Sequence, residues 1–133
     1  MNQEHSMQDQ MIRVLSDADA VARAAAEGFV ESAREAIERQ GRFAVALSGG
    51  STPKALYALL AGDEFAGRVD WSKVQVFFAD ERCVPPDDSQ SNYGMVREIL
   101  LRRLPLPSGN VHRMRGEIDP QDAAVEYGRL LKL

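Results

Sequence analysis

The sequence predicts an α/β protein built on an open, mostly parallel sheet with helices on both faces. Two apolar runs, FAVAL at Phe43–Leu47 and VQVFFA at Val74–Ala79, carry the β-branched and aromatic residues typical of strands that are covered on both faces. Amphipathic helical patterns lie before, between and after these runs. An alternation of this kind indicates a parallel sheet with right-handed crossovers.

The first predicted elements are a short strand and a long helix. Met11–Leu15 (MIRVL) is apolar enough to predict a strand, and Ser16 or Asp17 can cap the helix that follows, which runs to about Gln40. Gly41 is predicted to end this helix. Its expected buried stripe consists of Ala22, Ala26, Phe29, Val30, Ala33 and Ile37.

Three shorter helices complete the predicted order of elements. They span Pro53 to about Ala61, Asn92–Leu104 with Ser91 or Asn92 as the cap, and Pro120 onward. A turn-rich segment precedes a short strand predicted at Val111–Met114. The buried face expected for the last helix consists of Ala123, Ala124, Tyr127, Leu130 and Leu131.

Length and composition fit one domain or part of one, with 133 residues, 44% hydrophobic and 27% charged. We expect residues 1–10 to be a flexible N-terminus and residues 11–133 to form the domain. A net charge of −4 argues against a nucleic-acid partner. The sequence has neither an apolar signal segment at its start nor the roughly 18 continuous apolar residues of a membrane span, so we expect a cytoplasmic protein without a membrane partner.

The few cysteine and histidine residues give no indication of metal or redox chemistry. Cys83 is the only cysteine, and His5 and His112 are too far apart for a recognisable zinc spacing. No histidine near Cys83 in sequence could activate it, which favours a buried or half-buried structural cysteine over a nucleophile. We expect a structural or surface role for His112.

A glycine-rich loop after the first central strand is the first candidate site. It consists of Ser48, Gly49, Gly50, Ser51 and Thr52. Pro53 suits the first position of the following helix, and Thr52 is then its expected N-cap. Glycines allow a ligand to approach the backbone, and free N–H groups at a helix start attract anions, so this loop predicts a phosphate site. The alternative is an ordinary glycine turn with a capping hydroxyl.

A charged loop after the second central strand is the other candidate. Asp80, Glu81 and Arg82 come where that strand ends, at the edge of the sheet where α/β proteins bind ligands. Arg82 could bind a phosphate, a carboxylate or a developing oxyanion, and Asp80 could accept hydrogen bonds from hydroxyls or handle a proton. The alternative is a solvated Glu81–Arg82 pair at the strand end.

With these two loops the sequence resembles the 6-phosphogluconolactonases, within the superfamily of glucosamine- and galactosamine-6-phosphate isomerases. The motifs that carry the resemblance are SGGSTP, FFADERCVP and SNYG in this order, followed by NVHRMRGE and DAAVEY. The resemblance implies a doubly wound α/β fold shared with sugar-phosphate isomerases. It also implies a sugar-phosphate-binding domain that opens 6-phosphoglucono-δ-lactone to 6-phosphogluconate, in the pentose phosphate pathway, without a metal or nucleotide cofactor. It implies that Ser48–Thr52 hold the phosphate and that Arg82 contacts the substrate, and we group Asp80 with Arg82 as catalytic.

The resemblance covers only the N-terminal half of such an enzyme. The family's general base is expected in a later Gly-Asp-Gly-His-Thr loop that these 133 residues do not contain. We therefore expect a truncated sheet, which could self-associate through uncovered apolar faces, and a chain whose own activity is in question.

Two other functions stay open. A glucosamine-6-phosphate deaminase or isomerase has a similar loop, but Gly49-Gly50 and Asp80-Glu81-Arg82 in this chain favour the lactonase. A sugar-phosphate-binding module without catalysis would bind the phosphosugar and turn nothing over.

Overall fold

The computed structural model describes residues 11–132 and contains a parallel sheet flanked by helices. The N-terminus predicted to be flexible, residues 1–10, lies outside the described part. The named elements are α1 (Ala18–Gln40), β1 (Phe43–Leu47), α2 (Ser51–Ala61), β2 (Val74–Phe78), α3 (Asn92–Ile99) and α4 (Pro120–Leu131). β1 and β2 pair in parallel, from Phe43 opposite Val74 to Leu47 opposite Phe78. The predicted α/β class and both central strands are confirmed, with β2 ending one residue earlier than expected.

Helix α1 begins and ends at the residues that the sequence indicates. The Asp17 carboxylate accepts a hydrogen bond from the Ala20 N–H at 2.8 Å, which makes Asp17 the N-cap. Gly41 ends the helix in the left-handed conformation at φ 81°, which glycine adopts without steric cost. Four members of the predicted stripe are buried, and Ala36 is more buried than the expected Ile37.

One face of the sheet forms the core together with α1, α2 and α3. Alternate strand residues, among them Val74, Val76 and Phe78, are almost fully buried against these helices. Phe65 and Trp71, in the connection between α2 and β2, complete the same cluster. The Trp71 indole N–H donates to the Ala66 carbonyl at 2.8 Å, so this large side chain is buried without an unpaired donor.

The edge of β2 that does not pair with β1 is contacted by a single β-bridge and by the hydroxyl of one tyrosine. The strand predicted at Val111–Met114 is reduced to a parallel bridge between Val111 and Val76. The Tyr127 hydroxyl accepts from the Phe78 N–H at 2.7 Å and donates to the His112 carbonyl at 2.8 Å. Tyr127 therefore attaches α4 to the edge of the sheet.

Three further expectations differ from the structure. Residues 12–15 form no strand, and Met11, Ile12 and Val14 are exposed, because an apolar run becomes a strand only where a neighbouring strand pairs with it. Helix α3 ends at Ile99 and continues as a 3-10 turn at Leu101–Arg103. Of the buried face expected for α4, only Tyr127 is buried, and its hydroxyl is hydrogen-bonded to the Phe78 N–H and the His112 carbonyl.

The second face of the sheet is open. Ala44, Ala46, Gln75 and Phe77 line a groove of about 670 Å³ that Leu130 and Leu131 of α4 border. The expected self-association stays a prediction. Within residues 11–132, no helix combines the length and the apolar character needed to cross a bilayer.

Candidate functional site

The two loops singled out in the sequence meet at the carboxyl end of the sheet. They enclose an open cleft of about 320 Å³, lined by Ser48, Gly49, Gly50, Ala79, Asp80, Arg82 and Asn92. Strands β1 and β2 are parallel and adjacent, so the loops that follow them emerge side by side. The sheet thus brings both predicted catalytic residues next to the first part of the glycine loop.

The start of α2 supplies free backbone donors at this cleft. Gly50 is the N-cap, at φ 105° and ψ 169°, a conformation that residues with a Cβ rarely adopt. The helix begins at Ser51, so the expectation that Thr52 caps it is wrong: the glycine conformation lets the helix start two residues before Pro53. Within the described residues, the N–H groups of Gly49, Gly50, Ser51 and Thr52 donate to no protein acceptor.

Gly49 lies directly against a residue of α3. A Cβ on Gly49 would lie only 2.0 Å from Oδ1 of Asn92, far closer than two such atoms can approach. The Asn92 side-chain nitrogen is 3.1 Å from Oδ1 of Asp80 and 3.3 Å from the Asp80 carbonyl oxygen, to which it donates. Asn92 therefore joins the glycine loop to the end of β2.

Tyr57 holds the first residue of the glycine loop. Its hydroxyl accepts from the Ser48 N–H at 3.0 Å and donates to the Ser48 carbonyl at 2.7 Å. Burial raises the pKa of the Tyr57 hydroxyl, and its hydrogen bond with the Ser48 backbone partly offsets that increase. The loop is thus fixed at Ser48 by α2 and at Gly49 by α3.

Asp80 and Arg82 place opposite charges at the cleft. Both side chains are exposed, and the Asp80 carboxylate accepts the hydrogen bond from Asn92. Among the described residues, the Arg82 guanidinium makes neither an ion pair nor a hydrogen bond, which leaves its donors available. An arginine beside free backbone N–H groups can bind an oxyanion, and an aspartate beside them can accept hydrogen bonds from hydroxyls.

The Glu81–Arg82 ion pair considered from sequence is absent in the described part of the chain. The Glu81 carboxylate instead accepts hydrogen bonds from backbone N–H groups, including that of Arg82 at 2.8 Å. The guanidinium of Arg82 is therefore not neutralised by its neighbour in sequence.

The other candidate residues do not line the cleft, although Ser51 and Thr52 follow directly on Gly50, which does. Ser51 borders a neighbouring groove with Lys54 and Arg103, and Thr52 lines no part of the cleft. Cys83 is exposed, so the expectation of a buried or half-buried cysteine is wrong: its loop runs along the surface. The His112 ring stacks on Phe77 and is hydrogen-bonded to Gln75, which gives it the structural role expected.

Asn92 and Tyr57 are the site residues that sequence reasoning missed. The sequence indicates Asn92 only as one of two possible caps. Ser91 takes that role by accepting the Gly94 N–H at 3.0 Å, and the Asn92 side chain is left for the cleft. Two successive capping residues before one helix are a usable signal, because a helix needs only one N-cap. Tyr57 gives no such signal, since its spacing from Ser48 acquires meaning only in the folded loop.

Comparison with known proteins identifies the family. The profile described as "Glucosamine-6-phosphate isomerases/6-phosphogluconolactonase" matches residues 16–133. A 6-phosphogluconolactonase from Nostoc sp. is 38% identical over 122 residues, which are 91% of this chain and 49% of that protein.

Solved structures agree with this match. The crystal structure of 6-phosphogluconolactonase from Thermotoga maritima superposes with a TM-score of 0.78 at 29% identity, over 90% of this chain and 52% of that one. A monomeric glucosamine-6-phosphate deaminase superposes with a TM-score of 0.78 at 15% identity, over 89% of this chain and 48% of that one, which shows a shared fold only. This chain spans about half the length of the proteins that it matches.

Proposed function

Because the chain belongs to the family of glucosamine-6-phosphate isomerases and 6-phosphogluconolactonases, we propose that the intact protein hydrolyses 6-phosphoglucono-δ-lactone to 6-phosphogluconate in the pentose phosphate pathway. The observation that carries the proposal is the arrangement of the cleft: Gly49 and Gly50, with N–H groups that donate to no acceptor in residues 11–132, line it together with Asp80 and Arg82, and within the same residues the Arg82 guanidinium is unpaired. Such a cleft suits a substrate with a phosphate at one end and hydroxyl groups along its length. The single cysteine fits a reducing compartment, and we assign the protein to the cytoplasm.

The phosphate is assigned to the glycine loop. The N–H groups of Gly49, Gly50 and Ser51 are available as donors, and the positive end of the α2 dipole favours an anion there. Arg82 completes the anion site from the opposite loop. Binding of the phosphate, remote from the reacting bond, would orient the lactone for attack.

Opening the lactone requires a general base for the attacking water and donors for the oxyanion that develops on the carbonyl oxygen. Among the described residues, Asp80 is the one carboxylate that lines the cleft, and the hydrogen bond from Asn92 fixes its orientation. His112 is not a candidate base, because its ring is engaged by Phe77 and Gln75 away from the cleft. We assign the base to a histidine beyond this chain and give Asp80 a role in binding hydroxyls.

The second candidate is a sugar-phosphate-binding function without turnover for the isolated chain. The cleft carries the anion site, whereas the described residues place no histidine in it. A deaminase or isomerase activity has less support, because Gly49-Gly50 and Asp80-Glu81-Arg82 favour the lactonase.

The test is a calorimetric titration of the 133-residue chain with 6-phosphogluconate, run beside an assay of lactone hydrolysis on the same sample. We expect saturable binding and no hydrolysis above the spontaneous rate. Hydrolysis that is lost in Asp80→Asn but kept in His112→Gln would move the general base to Asp80. The absence of any binding, in a chain that circular dichroism shows to be folded, would contradict the proposed substrate.

A further inference from the structure

Glu81 lies between the two residues predicted to be catalytic, but its carboxylate faces the start of α3 instead of the cleft. One carboxylate oxygen accepts from the backbone N–H groups of Arg82 at 2.8 Å and Asn92 at 2.7 Å. The other accepts from the Tyr93 N–H at 2.9 Å and the Ser91 hydroxyl at 3.3 Å. A single side chain therefore connects the loop after β2 with the first residues of α3.

These contacts fix where α3 begins. The first N–H groups of a helix have no partner within the helix, and here Glu81 binds those of Asn92 and Tyr93 while Ser91 binds that of Gly94. A carboxylate at this end is also favoured by the helix dipole, and its hydrogen bonds are of the stronger, charge-assisted kind. The register of α3 relative to β2 is thus set by Glu81.

The register of α3 in turn sets one wall of the cleft. With its backbone N–H held by Glu81, Asn92 directs its side chain to Asp80 and to the space that a Cβ on Gly49 would fill. The loop that follows β2 and carries Arg82 is confined on its opposite side by Gly116. A Cβ on Gly116 would lie 2.2 Å from the Arg82 carbonyl oxygen. A shift of the Glu81 contacts would therefore be transmitted to Asn92 and the glycine loop.

From this geometry we propose that Glu81 is a positioning residue, which holds Asn92 against Asp80 and Gly49 so that the cleft has the shape its ligand needs. The proposal rests on the proposed function, because it names the residue that shapes the same site. Glu81 does not line the cleft and acts through Asn92.

The test compares Glu81→Gln with Glu98→Gln, a matched control on the exposed side of α3. Glutamine keeps one acceptor oxygen and replaces the other with an NH₂ group, which cannot accept hydrogen bonds from the donors that point at it. The substitution therefore breaks part of the hydrogen bonds that Glu81 accepts, with little change in side-chain volume. Glu98 forms ion pairs with Arg97 and Arg102 and lines no part of the cleft. Affinity for 6-phosphogluconate is measured by calorimetry on samples that circular dichroism shows to be folded. If the glutamine variant does not fold, Glu81→Asp takes its place, because the shorter aspartate side chain cannot reach both the Arg82 N–H and the start of α3.

We expect Glu81→Gln to raise the Kd about tenfold, as loss of a charged hydrogen bond does, and Glu98→Gln to change it less than about twofold. In an Asn92→Ala background, the effect of Glu81→Gln should largely disappear, because the two residues act in series. A general loss of stability would not depend on Asn92 in this way. An unchanged Kd, or effects of the two substitutions that multiply independently, would overturn the proposal.

A second measurement separates this proposal from the proposed function. In ¹H–¹⁵N spectra of the ligand-free chain, Glu81→Gln should move the signals of the Asn92 side-chain amide and of the Gly49 N–H, and Glu98→Gln should leave both in place. If the wild-type chain does not bind 6-phosphogluconate but these signals move, the substrate is wrong and the positioning role stands. If they do not move, Glu81 does not position Asn92.

Discussion

At the scale of single residues, the cleft is shaped by side chains that contact backbone far away in sequence. Tyr57 binds both polar groups of the Ser48 peptide, and Asn92 fills the space beside Gly49. The sequence predicted the position of the glycine loop and the two charges opposite it. It could not predict these contacts, because they depend on how α2 and α3 are oriented against the sheet.

Gly49→Ala tests the close approach between the two loops. Its Cβ would lie 2.0 Å from Oδ1 of Asn92, so either the loop or the asparagine must move. We expect the Kd for 6-phosphogluconate to rise about tenfold or more, measured by calorimetry. Gly67→Ala is the control, since a Cβ there meets nothing within 4 Å and should leave the affinity unchanged. Equal affinities of the two variants would remove Gly49 from the site.

Arg82→Ala tests which group of the ligand the guanidinium binds. A charged hydrogen bond contributes about 1.5–3 kcal/mol, so the loss should weaken binding of 6-phosphogluconate about tenfold or more. If Arg82 binds the phosphate, gluconate should bind the wild type and the variant equally weakly; if it binds the carboxylate, both ligands should lose affinity in parallel. Arg102→Ala, remote from the cleft and paired with Glu98, provides the control. No effect on either ligand would contradict the assignment of Arg82.

At the scale of elements, the sequence was most informative where local rules determine the structure. Asp17 and Gly41 bound α1 because capping acts over a few residues, and the apolar runs of β1 and β2 became strands because each has the other as a neighbour. MIRVL has the same local character as a strand, but no neighbouring strand in the described residues. Burial of α4 was overestimated for a related reason, since a periodic pattern does not say what packs against it.

Tyr127→Phe tests how α4 is attached to the sheet. The substitution removes the hydroxyl that pairs with the Phe78 N–H and the His112 carbonyl, and leaves the N–H of a buried strand residue without a partner. We expect the free energy of unfolding to fall by about 1–3 kcal/mol, measured by urea denaturation. Tyr93→Phe is the matched control, because the Tyr93 hydroxyl makes no hydrogen bond within the described residues. If the two variants are equally stable, the Tyr127 hydrogen bonds do not hold α4.

At the scale of the whole molecule, one sheet face is packed and the other is open. The three helices α1–α3 and the connection through Phe65 and Trp71 cover the first face, and the cleft lies at the carboxyl edge of the same strands. The sequence predicted this edge as the ligand site from topology alone, because parallel strands end together. Half of the length of the matched relatives has no counterpart in this chain, and a group supplied by that half cannot be inferred from these residues.

Alkaline pH tests the two buried tyrosines of the fold. Burial raises the pKa of Tyr57 and Tyr127 above the ordinary value of 10.0. Each folded hydroxyl thus keeps its proton where the unfolded one loses it, so this contribution to stability is complete below pH 10 and is lost as pH rises through the higher folded pKa values.

We therefore expect the thermal midpoint of the wild type to fall as the pH rises above 10. Tyr57→Phe should be less stable than the wild type at pH 8, because Ser48 loses its partner, but its midpoint should fall less over the same pH range. Parallel curves for the two proteins would show that ionisation of Tyr57 is not coupled to folding.

The most direct test of phosphosugar binding is a titration of the 133-residue chain with 6-phosphogluconate, followed in ¹H–¹⁵N spectra. We predict saturable shifts of the N–H signals of Gly49, Gly50, Ser51 and Thr52, together with the Arg82 side chain, and much smaller ones at the open sheet face around Phe77. Saturable shifts centred on another part of the molecule would contradict binding in this cleft. So would the absence of shifts at 6-phosphogluconate concentrations far above the Kd of a phosphosugar site.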